Sequence, residues 1–355
     1  MRIEKKKVLR IPAGSLLFLP AVLLSCPGLA IAHVKWFVDE NSMDPIEVIH
    51  FAIEEPAVLI WVGVTLFCIA AAAVLDRYLR QPSARLLSLA QTHRQEIIRL
   101  FQMMVGLTLL LTAVKGAIIA PHLEEQGQIG LLLRFVEGGI GMLLISNIAI
   151  PVAGALLVVL FVVSAGLFGF ISSLEYFNFL GIALFLLFNA AAADSRAREY
   201  ALPLLRIHTG IALGVLAWTE KLYAPHLAML FLRENKINFM QTLGFDAFSD
   251  RLFVLSAGST ELIFGIIFLL GLITRLNTLA LAGFLISSNL YFFLIGKTEE
   301  AFLELTGHLP LLAIAILFIL FGGGNRLRLP VRSAPEGEGG TSRTENTRNV
   351  PLSIR

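Results

Sequence analysis

The chain has 355 residues, of which 56% are hydrophobic and 15% are charged, and its formal net charge is +2. Soluble domains are about 45–50% apolar and about 25% charged, so this composition is typical of a membrane protein. The weak net charge and the lack of a basic patch with interleaved aromatic residues exclude a nucleic-acid partner. Cys26 and Cys68 form no C-x-x-C pair, so thiol redox chemistry and iron–sulfur binding have no local support.

Residues 1–32 have the three parts of a secretory signal peptide. A basic start precedes an apolar stretch over 11–24, and Ala30-Ile31-Ala32 supplies a small-residue cleavage site. Cleavage there would make His33 the new N-terminus. Two alternatives stay open: a lipoprotein signal that ends at Cys26, and a signal anchor that is not cleaved.

Nine apolar runs of roughly the length that crosses a bilayer predict transmembrane helices. They lie at 57–76, 100–119, 131–149, 151–171, 177–193, 203–222, 252–273, 276–296 and 308–322. The expected fold class is therefore all-α, a polytopic helical membrane protein. The link at 147–151 is so short that its two flanking spans should form a helical hairpin.

Arginines gather in alternate loops and in the C-terminal tail, and the positive-inside rule converts this bias into an orientation. The segment 33–56 is predicted to be periplasmic and the C-terminus cytoplasmic, in a bacterial inner membrane. Loop 223–251 carries basic residues on the outer side, which an amphipathic surface helix would explain. The tail 332–355 is rich in glycine and polar residues and is predicted to be disordered.

Two stretches share an order of features that predicts an internal repeat. Each has an arginine at the inner end of a span, a lysine near the outer end, then Ala-Pro-His-Leu, and a glutamate early in the next span. The matched residues are Arg99 and Arg206, Lys115 and Lys221, His122 and His226, and Glu137 and Glu261. Because four spans per copy preserve orientation, we expect two parallel four-helix repeats, at 100–193 and 203–326, plus one preceding helix at 57–76.

The second copy resembles the DoxX-like superfamily of four-helix membrane proteins. The resemblance covers about 203–326 and is carried by Arg206-x-x-x-Gly210-x-x-x-Gly214, Trp218-Thr-Glu-Lys-Leu222, Glu261-Leu-Ile-Phe-Gly265, Gly271-Leu-Ile-Thr-Arg275 and Gly322-Gly-Gly324. The first copy is more diverged: it lacks the tryptophan, and Asn147 stands near where Arg275 would align. The resemblance implies a subunit of a membrane oxidoreductase, such as a thiosulfate:quinone enzyme, although many such proteins have no assigned activity.

The predicted intramembrane charged pairs are Lys115 with Glu137 and Lys221 with Glu261. A carboxylate in hydrocarbon is costly and is usually paired or functional, so these residues form either structural ion pairs or a substrate or proton site. Lysines that snorkel to the membrane surface are a third interpretation. Arg134 shares a helix face with Glu137 and competes as its partner.

Two glycines of the second copy, Gly210 and Gly214, form a small-x-x-x-small face that predicts close helix packing. Five histidines predicted outside or at outer span ends are candidate metal ligands, with structural histidines as the alternative. They are His33, His50, His122, His226 and His308. If cleavage exposes His33, its amine and imidazole would chelate a divalent metal, copper best.

The favoured hypothesis is a DoxX-like integral membrane protein that serves as a membrane subunit or binding module linked to redox metabolism. Its ligand would be a quinone or another small amphiphile, or its partner a redox subunit, and it would be non-catalytic rather than a stand-alone enzyme. One alternative is a periplasm-facing protein that binds or handles copper. Another is a secondary transporter, because parallel repeats and intramembrane charges also occur in transporters.

Overall fold

The computed structural model describes residues 34–37, 50–79, 84–190 and 196–330. The predicted signal peptide, His33 and the tail 332–355 lie outside the described residues. The helices in chain order are α1 (Pro56–Leu79), α2 (Ala84–Thr92), α3 (Arg94–Lys115), α4 (Gly127–Ser146), α5 (Ile150–Phe168), α6 (Phe170–Leu174), α7 (Phe177–Ala190), α8 (Arg198–Ala217), α9 (His226–Asn235), α10 (Phe239–Thr242), α11 (Asp250–Leu270), α12 (Thr274–Leu294) and α13 (Thr298–Phe321).

Three short elements complete the described chain. Val34–Trp36 forms a 3-10 turn, and Trp218–Leu222 continues α8 as a π-helical turn. The strands β1 (Ala117–Ile118) and β2 (Ala120–Glu124) pair antiparallel in the loop after α3. The remaining regular secondary structure of the described part is helical.

Eight described helices are long and apolar enough to cross a membrane, which confirms an all-α, multi-pass architecture. Seven of them match predicted spans within a few residues. The predicted span at 177–193 is the helix α7, which has only 14 residues and falls short of the ~20 that a bilayer core requires.

The last span was predicted at 308–322 and is wrong at its start, because α13 begins at Thr298. Glu299, Glu300 and Glu304 lower the local hydropathy and hide the first two turns from a hydropathy search. His308 therefore lies inside a helix of the bundle and not at an outer span end. It is buried, with 4% of its surface exposed.

Eight helices pack in a closed ring, each against the next: α3, α4, α5, α7, α8, α11, α12 and α13, with α13 returning to α3. The helix α1 packs outside this ring against α11 and buries only Ala72 and Asp76. We call the end of the ring at Asn147 and Gly271 the inner end, after the predicted orientation, and the opposite end the outer end.

The first two ring helices of each half cross through a pair of glycines. A Cβ atom on Gly106 of α3 would lie 2.7 Å from the carbonyl oxygen of Gly141 on α4. A Cβ atom on Gly210 of α8 would lie 2.7 Å from the carbonyl oxygen of Gly265 on α11. The backbones touch at both crossings, so a larger residue has no room. Gly214 belongs to the same crossing, because a Cβ atom on Gly265 would lie 2.9 Å from its backbone nitrogen, although a Cβ atom on Gly214 itself would meet Leu262 only at 4.0 Å.

The inner-end hairpins of the two halves also share a backbone conformation. Asn147 ends α4 and Gly271 ends α11, both in the left-handed region, with φ of 58° and 70°. Two residues later Ala149 and Ile273 are left-handed again, with φ of 48° and 31°. Asn147 thus stands where Gly271 does, and not near the position of Arg275 as the sequence alignment expected.

Candidate functional site at the outer end

Lys221 and Glu261 form an ion pair in the core of the bundle. The Lys221 ammonium lies 2.9 Å from the Glu261 carboxylate, and both side chains are buried. The π-helical turn at Trp218–Leu222 allows this pair to form. It has more residues per turn than an α-helix, so two consecutive side chains, Glu220 and Lys221, both face the interior. Turns of this kind are rare and occur often at functional sites.

The predicted pair of Lys115 and Glu137 is wrong. Lys115 is exposed at the end of α3, while the buried Glu137 carboxylate accepts hydrogen bonds from the Thr112 hydroxyl at 2.6 Å and the Ile119 backbone N–H at 3.0 Å. Arg134 is not its partner either, because it donates to the carbonyl oxygens of Gly130 and Gly116. The α3 helix ends regularly at Lys115, without the π-helical turn that rotates Lys221 inward.

The segment 34–37 inserts among the polar groups at the outer end. The backbone N–H of Val34 donates to the Glu220 carboxylate at 3.0 Å. The Lys35 ammonium lies 2.7 Å from the Glu175 carboxylate, which also accepts a hydrogen bond from Thr219 at 2.7 Å. Since Val34 has no exposed surface, this segment is part of the folded core.

The Trp36 indole fills a slot at the centre of the ring. Its N–H donates to the Tyr176 hydroxyl at 3.0 Å, and its ring centroid lies 5.7 Å from that of His308. Gly307 makes the slot possible, because a Cβ atom there would lie only 1.8 Å from the indole. A residual cavity of about 20 Å³ remains beside the indole, bounded by Pro121, Leu213, Leu311 and neighbouring side chains.

Two side chains at the margin of the slot have pKa values that keep them uncharged. Burial and the adjacent Glu220 and Glu175 carboxylates raise the pKa of Tyr176 well above its usual 10. Burial and the nearby Lys35 ammonium lower the pKa of His122 to about 4. The Tyr176 hydroxyl lies 3.4 Å from the His122 ring nitrogen, so the slot ends in two neutral hydrogen-bonding groups at physiological pH.

A second polar group lies on the α13 side of the slot. The His308 ring nitrogen is 3.1 Å from the Asn289 side-chain amide and 3.7 Å from the Glu304 carboxylate. Glu304 is fully buried, and Ser288 and His308 are its polar neighbours within the described chain, without a short hydrogen bond to either carboxylate oxygen. A buried carboxylate held this weakly is costly and would gain from a ligand donor.

The histidines do not converge. His50 contacts the carbonyl oxygen of Tyr223 at the surface, His122 lies in β2, His226 begins α9 and His308 lies inside the ring. Within the described residues no three His, Cys, Asp or Glu side chains form a group that could hold a metal ion. The copper hypothesis at His33 concerns a residue outside the described chain.

The sequence pattern does not reveal the slot. Trp36, Tyr176 and Glu304 belong to no site motif, and Glu220 stands only within the Trp218-Thr-Glu-Lys-Leu222 motif. The available signal was a tryptophan close behind the predicted cleavage site and three glutamates just ahead of an apolar run. Neither pattern shows that the two meet in space.

The fold and this site define a multi-pass helical protein with a polar, aromatic slot at one end of its ring. Comparisons with protein-family models, with curated proteins and with solved structures found no match to this chain. Its function is therefore argued from the site.

Proposed function

We propose that the chain is a membrane-embedded binding module whose ligand is a small amphiphile with a flat aromatic head, of the quinone class. The observation that carries the proposal is the slot around Trp36. It holds a flat bicyclic ring between Gly307, His308 and Tyr176, and hydrogen-bonds its one polar atom. In this proposal the segment 34–37 occupies the place of the ligand and must leave before the ligand enters.

The chemistry of the slot fits such a head group. Tyr176 and His308 would hydrogen-bond the oxygens of a quinone, and Leu213 and Leu311 would contact its ring. The quinone would supply the redox chemistry, and these side chains only bind and orient it. The buried Glu304 lies one helical turn before His308, with its carboxylate 3.7 Å from the imidazole, and would serve as a proton donor or acceptor beside the bound head group.

We place the protein in the inner membrane of a bacterium, with the segment 34–37 on the periplasmic side and the tail in the cytoplasm. We also infer a tandem DoxX-like repeat, with a redox subunit as a partner. The matched glycine crossings at Gly106 and Gly210 support the repeat, as do the matched hairpins at Asn147 and Gly271. The resemblance of the second half supports the family and the redox partner.

Binding of a quinone probe tests the slot. Purified protein in detergent is titrated with menadione, a flat two-ring quinone, and the change in melting temperature and the quenching of tryptophan fluorescence are measured. Trp36→Ala should raise the affinity about tenfold, because the competing segment no longer fills the slot. Adding Gly307→Leu to this variant should abolish binding, because the new side chain refills the space.

The matched control is Trp218→Ala, which removes a tryptophan that is 56% exposed and lies away from the slot. Its affinity for menadione should equal that of the unmodified protein. Absence of binding in Trp36→Ala, or equal affinity in Trp36→Ala and Trp218→Ala, contradicts the proposed function.

Reporter fusions test the orientation. A reporter that is active only in the cytoplasm should give signal when it is fused after Arg332 and none when it is fused at Gly127. The opposite pattern would invert the proposed topology and place the slot on the cytoplasmic side.

A further inference from the structure

Three motifs that lie far apart in the second half meet at the inner end of the ring, opposite the slot. Gly271 and Arg275 at the turn into α12 and Gly322–Gly324 after α13 line a crevice of about 660 Å³, and Arg206 of α8 is buried behind two of these glycines. None of these residues contributes to the outer site. The crevice therefore needs an explanation of its own.

Glycines form the floor of the crevice because arginines lie directly behind them. A Cβ atom on Gly271 would lie 1.6 Å from the Arg206 guanidinium, and one on Gly323 would lie 2.7 Å from its Cδ atom. A Cβ atom on Gly322 would lie 3.2 Å from the Arg275 guanidinium. Because glycine has no side chain, the guanidinium groups can pack directly against these positions, close to a ligand in the crevice.

The positive charge of the crevice is not balanced within the described chain. Asp76 is the acidic residue among its described lining residues, and its two oxygens accept from Arg328 at 2.7 Å and from the Ile273 N–H at 3.0 Å. Among the described residues, Arg275 donates to the carbonyl oxygens of Ile319 and Leu320 and to no carboxylate.

Arg206 is the clearest case of unmet charge. It has no exposed surface and donates to the carbonyl oxygen of Leu327, while its Nε and Nη1 atoms have no hydrogen-bond partner in the described part of the chain. A buried guanidinium without an anion is costly, so the positive charge behind the glycines favours an anionic ligand in the crevice.

The opposite wall of the crevice is apolar. Leu276 and Leu279 of α12 and Leu87 of α2 line it, and Leu279 and Leu87 are about half exposed. The crevice is thus cationic at one side and hydrocarbon-like at the other, at the end of the transmembrane helices where lipid head groups lie. A free phosphate would use only the first of these two sides.

We propose that this crevice binds one anionic phospholipid, with its phosphate at Arg275, in the field of the buried Arg206, and an acyl chain along Leu276 and Leu279. The site is specific to the second half. In the first half, Gln102 precedes the crossing glycine Gly106 by the same distance as Arg206 precedes Gly210. Pro151 follows Asn147 by the same distance as Arg275 follows Gly271 in the matched hairpin, so both arginines are missing from the first half.

The test measures melting temperature in detergent as phosphatidylglycerol, phosphatidylcholine or inorganic phosphate is added. Phosphatidylglycerol should give a saturable stabilisation that the other two do not. Arg275→Gln should weaken its apparent affinity about tenfold, as the loss of a charge-assisted contact does. Leu279→Gln, at an exposed position that leaves the arginines in place, should weaken it as well.

Arg326→Gln is the matched control. Arg326 lies at the same end but pairs with Glu199 at 2.7 Å in an exposed position and does not line the crevice. Its affinity should stay within about twofold of the unmodified protein, because exposed pairs contribute little. An equal effect of Arg326→Gln and Arg275→Gln, or of phosphatidylcholine and phosphatidylglycerol, overturns the site. Equal stabilisation by inorganic phosphate overturns the phospholipid as its occupant.

Discussion

In both halves of the ring the first helix crosses the second through touching glycines, and a buried glutamate lies one turn before the second glycine. Beyond this crossing the halves diverge. In the first half α3 ends regularly, and the Ile119 N–H between β1 and β2 donates to one oxygen of Glu137. In the second half a π-helical turn carries Lys221 inward to Glu261.

The same four residues, Ala-Pro-His-Leu, follow this point in both halves and adopt different structures. Ala120 and His122 lie in the strand β2, whereas His226 starts the helix α9. The backbone conformation just before the Ala-Pro-His-Leu motif therefore decides whether the motif forms a strand or begins a helix. In the first half, Glu137 accepts from a hydroxyl and a backbone amide, so no cation of the described chain enters the core there. In the second half, the ion pair with Glu261 brings the Lys221 ammonium into the core next to the slot.

The largest expected difference between the halves concerns the two glutamates. Glu261→Gln removes the carboxylate that lies 2.9 Å from the buried Lys221 ammonium and should lower the free energy of unfolding by about 3–5 kcal/mol. Glu137→Gln should cost about 1 kcal/mol, because the glutamine oxygen still accepts from Thr112 and Ile119. Denaturation with SDS measures both values.

Two further variants complete this comparison. Combining Glu261→Gln with Lys221→Met should recover part of the loss, with a coupling of about 0.5–3 kcal/mol. Lys115→Met should change nothing, since Lys115 is exposed. Strictly additive effects of the first two substitutions, or an equal cost for Glu137→Gln and Glu261→Gln, would remove the distinction between the halves.

The next effect concerns the pH dependence of His122. Its pKa is about 4 in the folded protein and about 6.5 when unfolded, so the unfolded chain binds the proton first as the pH falls. Above pH 6.5 the free energy of unfolding is unaffected by His122. It declines as the pH falls from about 6.5 to about 4, and the loss due to His122 is at most about 3 kcal/mol.

Melting temperature against pH measures this loss. His122→Gln should flatten the decline between pH 6.5 and 4, and His226→Gln, the same motif position in the second half, serves as the control. If His122→Gln and the unmodified protein lose stability in parallel over this range, the strand environment of His122 is not what makes the two motifs different.

The smallest effect tests what the halves have in common. Gly106→Ala and Gly210→Ala each push a methyl group to within 2.7 Å of a backbone oxygen and should cost about 1–3 kcal/mol each. Gly139→Ala is the control, since a Cβ atom there meets nothing within 4 Å. Clearly unequal costs at Gly106 and Gly210 would show that the two crossings are not equivalent.

Much of the fold could be predicted from the sequence because hydrophobic length is a local property. A run of about 20 apolar residues crosses a bilayer wherever it occurs, so the all-α, multi-pass architecture and most helix positions followed from composition. The helical hairpin at Asn147–Pro151 and the use of Gly210 in close packing followed from short local patterns as well. The start of α13 did not, because Glu299, Glu300 and Glu304 give its first turns the hydropathy of a loop, although Glu304 is buried in the bundle.

The candidate site depended on tertiary structure for a physical reason. Whether a buried carboxylate pairs with a lysine or with a hydroxyl depends on helix rotation at the level of one residue, and the rotation at Lys221 comes from a π-helical turn that no periodicity announces. The sequence by itself determined that this is a helical membrane protein with glutamates inside its spans. Only the packing of distant segments decided that Trp36 meets His308, and that Gly271, Arg275 and Gly322 line one crevice with Arg206 buried behind it.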